Sequence, residues 1–284
     1  MHDSESDSVT TMNIKYTILG SGDTLGTPIA GCTKPACLDP GSKRYRFGLL
    51  FEIGDTKILI DPNPDLKWQC IDNRFELKDI DHILVTHQHS DHINGLGEFF
   101  YRRDTPTRLW YGKHPLNEKL IDYWRYLERE EVMEFKTYEA GKAFMLTDKI
   151  EVLPIALNHG FPTCGFVLRV GKKSIAIVTD TNSALPKESL AALNDVDVLF
   201  CDTFSENMRQ VASVYDGCGI DAPNLSTEWF HMTLPQVYAL QKQVHARKVY
   251  TVHMSRHMRP HAELVSAYET PNFIIAYDGL CDSI

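Results

Sequence analysis

The stretch THQHSDHINGLGEF, residues 86–99, places three histidines and an aspartate within six positions, directly after the apolar run HILV at 82–85. Imidazole and carboxylate are the side chains that borderline divalent cations prefer, so the cluster reads first as a metal site. In a helix His87 and His89 would lie about 200° apart and could not share an ion. In an extended loop residues i and i+2 face the same side, so His87 and His89 ligate one ion as the chain leaves its strand. Asp91 and His92, after the chain has turned, face a second. Four donors cannot complete two sites of roughly four to six ligands each, so the remaining ligands must come from elsewhere.

A chain of 284 residues, 43% apolar and 24% charged, is sized for one large domain with a substantial core. We expect that domain over residues 13–284, behind a flexible leader, MHDSESDSVTTM, at 1–12. The formal charge of −9 disfavours broad electrostatic binding to nucleic acid. Local basic runs, SKRYR at 42–46 and YRR at 101–103, are left as the places where a phosphate could be touched. No apolar run approaches the ~18 residues of a membrane span, and the leader is acidic and polar where a targeting peptide would be basic and apolar. The expectation is a cytoplasmic protein without membrane contact. Seven cysteines, at 32, 37, 70, 164, 201, 218 and 281, are odd in number and scattered, unlike a disulfide framework, and are expected to be reduced.

Short β-branched and apolar runs separated by turn signals predict strands at 14–19, 48–53, 57–61 and 82–86, then at 150–157, 165–170, 174–179, 196–201, 248–252 and 273–277. Helical spacing is predicted over 115–131, 186–194 and 233–244, the last with Leu234, Val237, Leu240 and Val244 on one face. Ten strands exceed one ordinary sheet. Strands in series that later alternate with helices predict an α/β fold of two packed sheets with helices covering their outer faces.

Three later residues qualify as the missing ligands because each follows a predicted strand: His159 in ALNHGF, Asp180 in IVTDTN and His253 in YTVHMSRH. Asp180 can bridge, since a carboxylate offers one oxygen to each ion. Asp61, closing ILID, is expected to hold a histidine from behind, because metal-bound imidazoles donate their other N–H to an acceptor.

With these pieces in place the sequence resembles the metallo-β-lactamase superfamily, whose fold is an αβ/βα four-layer sandwich with a dinuclear site along one edge. Within it the similarity is to the PhnP-type cyclic phosphodiesterases of the carbon-phosphorus lyase pathway. The resemblance rests on LGSGDTLGTPIAGC (19–32), THQHSDHINGL (86–96), LNHGFPTCGFVL (157–168), TDTNSALP (179–186), FHMTLPQVYALQ (230–241), VHMSRH (252–257) and YDGL (277–280). It implies His87, His89 and His159 on one ion, Asp91, His92 and His253 on the other, and Asp180 between them, with manganese or zinc as the metal. It also implies that His231 lies near the scissile phosphate without ligating, in an acid/base or phosphate-binding role. His231 and Asp91 are therefore the expected catalytic residues. Family members often hold a further, structural zinc through Cys-x-Cys-x-x-Cys and a nearby histidine. Here GCTKPAC keeps Cys32 and Cys37 but has Lys34 at the middle position, and the helper His257 stands one residue farther from His253. Structural zinc takes four protein ligands, so two ordinary cysteines are expected rather than a third metal site.

The expected reaction is hydrolysis of a small cyclic phosphodiester such as phosphoribosyl cyclic phosphate. Two cations ~3.5–4 Å apart lower the pKa of a water and clamp phosphoryl oxygens, while His231 protonates the leaving alkoxide. A tRNA 3′-end endonuclease, a thioesterase and a non-catalytic cofactor-biosynthesis protein are the alternatives on the same scaffold. The chain lacks a basic Gly/Pro-rich insertion that would serve the endonuclease as a substrate arm, and a lactamase would be secreted and lack Asp91 as a ligand. Substrate choice is expected to reside in 102–139 and 207–228. A homodimer is compatible with these features.

Overall fold

The β-branched runs fold as two seven-stranded sheets in a computed structural model that describes residues 12–100, 104–210 and 230–284. Strands β1 (Ile14–Gly20), β2 (Gly48–Ile53), β3 (Thr56–Ile60), β4 (His82–Leu84), β5 (Thr107–Gly112) and β6 (Met133–Tyr138) belong to the first sheet. Strands β7 (Phe144–Thr147), β8 (Ile150–Ala156), β9 (Cys164–Val170), β10 (Lys173–Val178), β11 (Val198–Asp202), β12 (Lys248–Val252) and β13 (Phe273–Ile275) form the second. The last strand, β14 (Cys281–Ser283), returns to the first sheet, whose order is β14-β1-β2-β3-β4-β5-β6. The second runs β13-β12-β11-β10-β9-β8-β7. Gly54 and Gly171, both at positive φ, open the two-residue turns of the β2–β3 and β9–β10 hairpins, where a side chain would be strained.

The two sheets face each other across an aromatic core. Tyr16 meets Phe200 edge-on at 5.3 Å, and Phe200 stacks on Tyr250 at 5.2 Å. A second apolar cluster lies outside the first sheet, where Leu66 of the helix Leu66–Asn73 and Ile121 of the helix Pro115–Ile121 join Ile83 and Leu109. On the far side of the second sheet the helix Leu234–Val244 buries Leu234, Val237, Leu240 and Val244. Thr233 and Gln236 close its N-terminus as a reciprocal capping box, satisfying donors that the first helical turn leaves open. The result is the four-layer αβ/βα sandwich that the sequence predicts.

The structure adds four strands to the ten predicted, β5, β6, β7 and β14. The helix predicted over 115–131 is broken into Pro115–Ile121, a 3₁₀ turn at Asp122–Trp124 and Tyr126–Arg129. Of the predicted leader only Met12 is described, and the run at 101–103, Cys218 and most of the 207–228 segment lie outside the described residues. No helix among the described residues is long and apolar enough to cross a membrane.

Strands β3 to β6 are mutually parallel, as are β10 to β13, and β8 runs with β10 because both are antiparallel to β9. Their C-terminal ends therefore share one edge of the sandwich. In open α/β sheets that edge is where ligands bind.

Candidate metal centre

Each of the seven expected ligands, and Asp61 with them, leaves the end of one of these strands. Asp61 follows β3, His87 to His92 follow β4, His159 follows β8, Asp180 follows β10 and His253 follows β12. Three of them, Asp61, Asp180 and His253, adopt left-handed backbone with φ of 55°, 55° and 57°. Left-handed residues other than glycine are uncommon and cluster at functional sites. Here the turn aims each side chain back across the strand end.

His87 to His89 is extended, His89 itself sitting at φ −65° and ψ 151°, and the helix Ser90–Ile93 begins directly after. His87 and His89 accordingly point together, with His87 Nε2 2.9 Å from His89 Nδ1. His159 Nε2 lies 3.4 Å from the same His89 nitrogen. The short helix turns Asp91 and His92 toward a second point, where His253 joins them with donor atoms within 4.8 Å of one another. Asp180 reaches both groups: Oδ2 is 3.2 Å from His92 Nε2, while Oδ1 is 3.4 Å from His253 Nε2 and 3.9 Å from His159 Nε2. All seven predicted ligand positions thus come together, in the two triads that the resemblance implied, with the aspartate between them.

Asp61 stands behind this array, fully buried. Its Oδ1 accepts from Thr86 N at 2.7 Å, and its Oδ2 accepts from Thr86 Oγ1 at 2.7 Å and from His92 Nδ1 at 2.8 Å. Engaging Nδ1 in this way turns His92 Nε2 inward, where it would offer a lone pair to a cation that displaces its proton.

The donor set fits divalent cations on a test internal to the structure. His92 Nε2 and His253 Nε2 are buried and make no hydrogen bond, although carboxylate oxygens lie 3.1 to 3.4 Å away. Buried polar atoms are ordinarily satisfied, so orphaned nitrogens facing carboxylates mark a place for a shared cation. The electrostatics agree. Burial, with the neighbouring imidazoles, holds His87 well below the ordinary histidine range and pushes His159 down to about 4, so these donors are neutral. Burial opposes charge on His92 and His253 too, yet Asp180 and Asp91 hold His92 well up and keep His253 at about 9. Protons thus stand in for positive charge beside the carboxylates, and a metal binding there would displace them.

Beside the triads lies a further pair, whose histidine has a donor atom within 4.8 Å of those of His159 and Asp180 and of His253. His231 Nδ1 is 2.7 Å from Asp202 Oδ2. Asp202, the last residue of β11, is fully buried and also accepts Thr181 N at 3.0 Å. The His231 ring stacks on His253 at 4.9 Å and on Phe204 at 4.9 Å, and it remains partly exposed. Sequence reasoning named His231 and missed Asp202, although LFCD ends a strand in aspartate as ILID does.

Cys32, Cys37 and His257 do not join any group of three converging donors among the described residues. Burial and then the charges of Lys34 and Arg256 push His257 down to about 4. The region around Lys34 is positive, and a third cation does not fit it.

Comparison with known proteins follows the same lines. The chain is similar to the octanoyltransferase of Porphyromonas gingivalis (strain ATCC BAA-308 / W83), 25% identical over 280 residues, covering 93% of this chain and 50% of that protein. It is also similar to the ribonuclease Z of Methanopyrus kandleri (strain AV19), 29% identical over 136 residues, covering 47% of each. The chain spans about half the length of these curated relatives. Among solved structures, a diphosphatase from the PhnP family superposes with a TM-score of 0.75 at 24% identity, covering 96% of this chain and 98% of that one. At that identity the likeness speaks for the fold. The ribonuclease relative gives no support to the expectation that nucleic acid is not a partner. Residues 56–254 match the β-lactamase superfamily domain, more than half of the chain, and with that fold and that strand-end array the chain belongs to the β-lactamase superfamily.

Proposed function

We propose that the chain is a metal-dependent hydrolase of phosphodiesters, with small cyclic diesters preferred. The observation that carries this reading is the Asp202–His231 pair set beside two converging ligand triads. His87, His89 and His159 would hold one divalent ion, Asp91, His92 and His253 the other, with Asp180 shared. Bound there, two divalent ions supply Lewis acidity for phosphoryl oxygens and a water of lowered pKa.

The chain's own residues do the rest. Asp202 fixes the His231 ring through Nδ1, so that Nε2 is the nitrogen that carries a proton to the leaving oxygen. The stacks on His253 and Phe204 hold the ring in plane. Asp91, buried beside His92 and His253, stays ionised and adds negative charge to the second triad.

The test is a substrate panel on zinc- or manganese-loaded protein: a cyclic ribose phosphate, 2′,3′-cyclic nucleotides, an aryl phosphodiester, precursor tRNA, a phosphomonoester and a thioester. The reading expects metal-dependent turnover of diesters, fastest on small cyclic ones. Cleavage of precursor tRNA well above the cyclic diesters would move the substrate to RNA, as the ribonuclease relative suggests. Faster cleavage of the thioester would overturn the phosphodiesterase assignment.

A further inference from the structure

A cavity of about 210 Å³ lies beside the loop that follows His253 and is lined by Lys34, Arg256, His257, Arg259 and Glu263, among others. It has room for several waters, or for one tetrahedral oxyanion with waters around it. Its charge is not balanced internally. Arg259 is committed to Glu206, with Nε 2.8 Å from Oε2. Arg256 has its Nε buried with no hydrogen-bond partner. A buried N–H without an acceptor costs about 1–3 kcal/mol, and the protein supplies none for this one. Glu263 lines the same cavity and forms no ion pair with Lys34 or Arg256.

Two groups register the resulting field. Burial lowers His257, and Lys34 and Arg256 lower it further, so the ring is neutral. Burial opposes ionisation of the Cys32 thiol, yet contacts to Lys34 N and Cys37, with the charges of Arg256 and Lys34, bring it below its ordinary value. The place where the resemblance would put a cation is therefore occupied by two.

We propose that this cavity is an anion subsite, in which Lys34 and Arg256 bind a phosphate group. Arg256 follows His253 by three positions, and the buried Asp23 carboxylate lies in the field of His253, His231 and Arg256 together. The subsite is thus a neighbour of the metal centre. The phosphate has two possible sources, a terminal phosphate on the hydrolysed diester or free inorganic phosphate.

Calorimetric titration of the zinc-loaded chain with inorganic phosphate tests the subsite without reference to turnover. Two phosphates per chain are expected in the wild type, one at the metals and one here. Lys34→Gln and Arg256→Gln should each weaken the second on the order of tenfold, the loss of one charge-assisted contact, with zinc content unchanged. Lys34 is half-exposed, so Lys34→Gln carries the test if the arginine variant folds poorly. A single phosphate that Lys34→Gln leaves unchanged, or a second one that it leaves unchanged, overturns the proposal. The source is read kinetically, and this arm, like the phosphate counted at the metals, rests on the hydrolase reading. A KM raised about tenfold only for a cyclic diester bearing a terminal phosphate, at constant kcat, identifies the substrate's own phosphate. Unchanged KM for diesters with and without it identifies free phosphate.

Discussion

Replacing Asp61 by asparagine tests how the second triad is held. The carboxylate accepts three hydrogen bonds, two from Thr86 and one from His92 Nδ1, and both Thr86 Oγ1 and His92 Nδ1 donate to the same Oδ2. Asparagine keeps the shape and one oxygen. With that oxygen facing Thr86 N, its NH₂ group meets two donors. Thr86 Oγ1 can rotate and accept, but His92 can accept only by shifting its proton from Nδ1 to Nε2. That shift removes the inward lone pair.

Two effects of different size follow. In the metal-free protein the substitution removes a buried charge that burial itself disfavours, as the raised Asp61 pKa shows, and it loses charge-assisted bonds of about 1.5–3 kcal/mol each. Removing one partner of a buried ion pair costs about 3–5 kcal/mol when the other charge is left alone; Asp91 and Asp180 still face His92, so the loss in urea unfolding should fall below that range. For metal affinity nothing offsets the tautomer shift, and groups that orient a ligand in this way are worth about 10–100-fold. Zinc titration against a chromophoric chelator should show the site of Asp91, His92 and His253 weakened by that factor, with the His87, His89 and His159 site within about threefold of wild type. Unchanged affinity at both sites would refute the tautomer argument. Equal loss at both would place the action of Asp61 on Thr86 and, through the 3.1 Å contact of its hydroxyl, on His87 Nδ1.

Asp180→Asn should lower occupancy at both sites in elemental analysis, because its two oxygens face different triads; a loss confined to one site would remove the bridging role. His231→Ala should keep both metals and lose on the order of 10²- to 10⁴-fold in turnover, with a smaller loss for a nitrophenyl diester, whose leaving group needs little protonation. An equal loss on both substrates would point to phosphate binding instead. Asp278 accepts from Ser21 N, Ser21 Oγ and Tyr45 N, yet burial raises its pKa from 3.8 to about 6. The folded state therefore binds the proton more tightly than the unfolded chain between those values, and this group's contribution to stability falls as pH rises from 4 to 6. The stability difference between wild type and Asp278→Asn should decline across that window and level off above it, as followed by urea unfolding at stepped pH.

Much of this site is written locally in the sequence. ILID, IVTD and YTVH are each an apolar strand run ending in a metal-type donor, and HQHSD records the change from extended chain to helix. What escaped reading depends on distant partners. In TRLWYG and MEFKTY, the strands β5 and β6, the charged residues Arg108, Glu134 and Lys136 interrupt the apolar positions, so their runs lack continuous apolar character. β14 has three residues and exists because Lys15, Tyr16 and Thr17 pair with it from the far end of the chain. Likewise GCTKPAC reveals the loss of a cysteine, whereas the positive cavity needs Arg256 folded against Lys34, which no local pattern announces.

The left-handed residues join fold to chemistry. A left-handed conformation costs an L-residue roughly 1–2 kcal/mol, and Asp61, Asp180 and His253 all adopt it immediately after, or one residue beyond, a parallel strand. Glycine would remove the strain but has no side chain to aim, so the cost is inseparable from turning an aspartate or histidine back over the strand end. Asp91 and Asp180 add mutual repulsion that, without a metal, only protons on His92 and His253 relieve. Strain and repulsion both sit in the metal-free folded state, and a ligand that binds only the folded chain stabilises it by RT ln(1 + [L]/Kd), about 4 kcal/mol at a thousandfold excess over Kd. The strand-end edge is therefore the part of this fold whose stability is most dependent on what it binds.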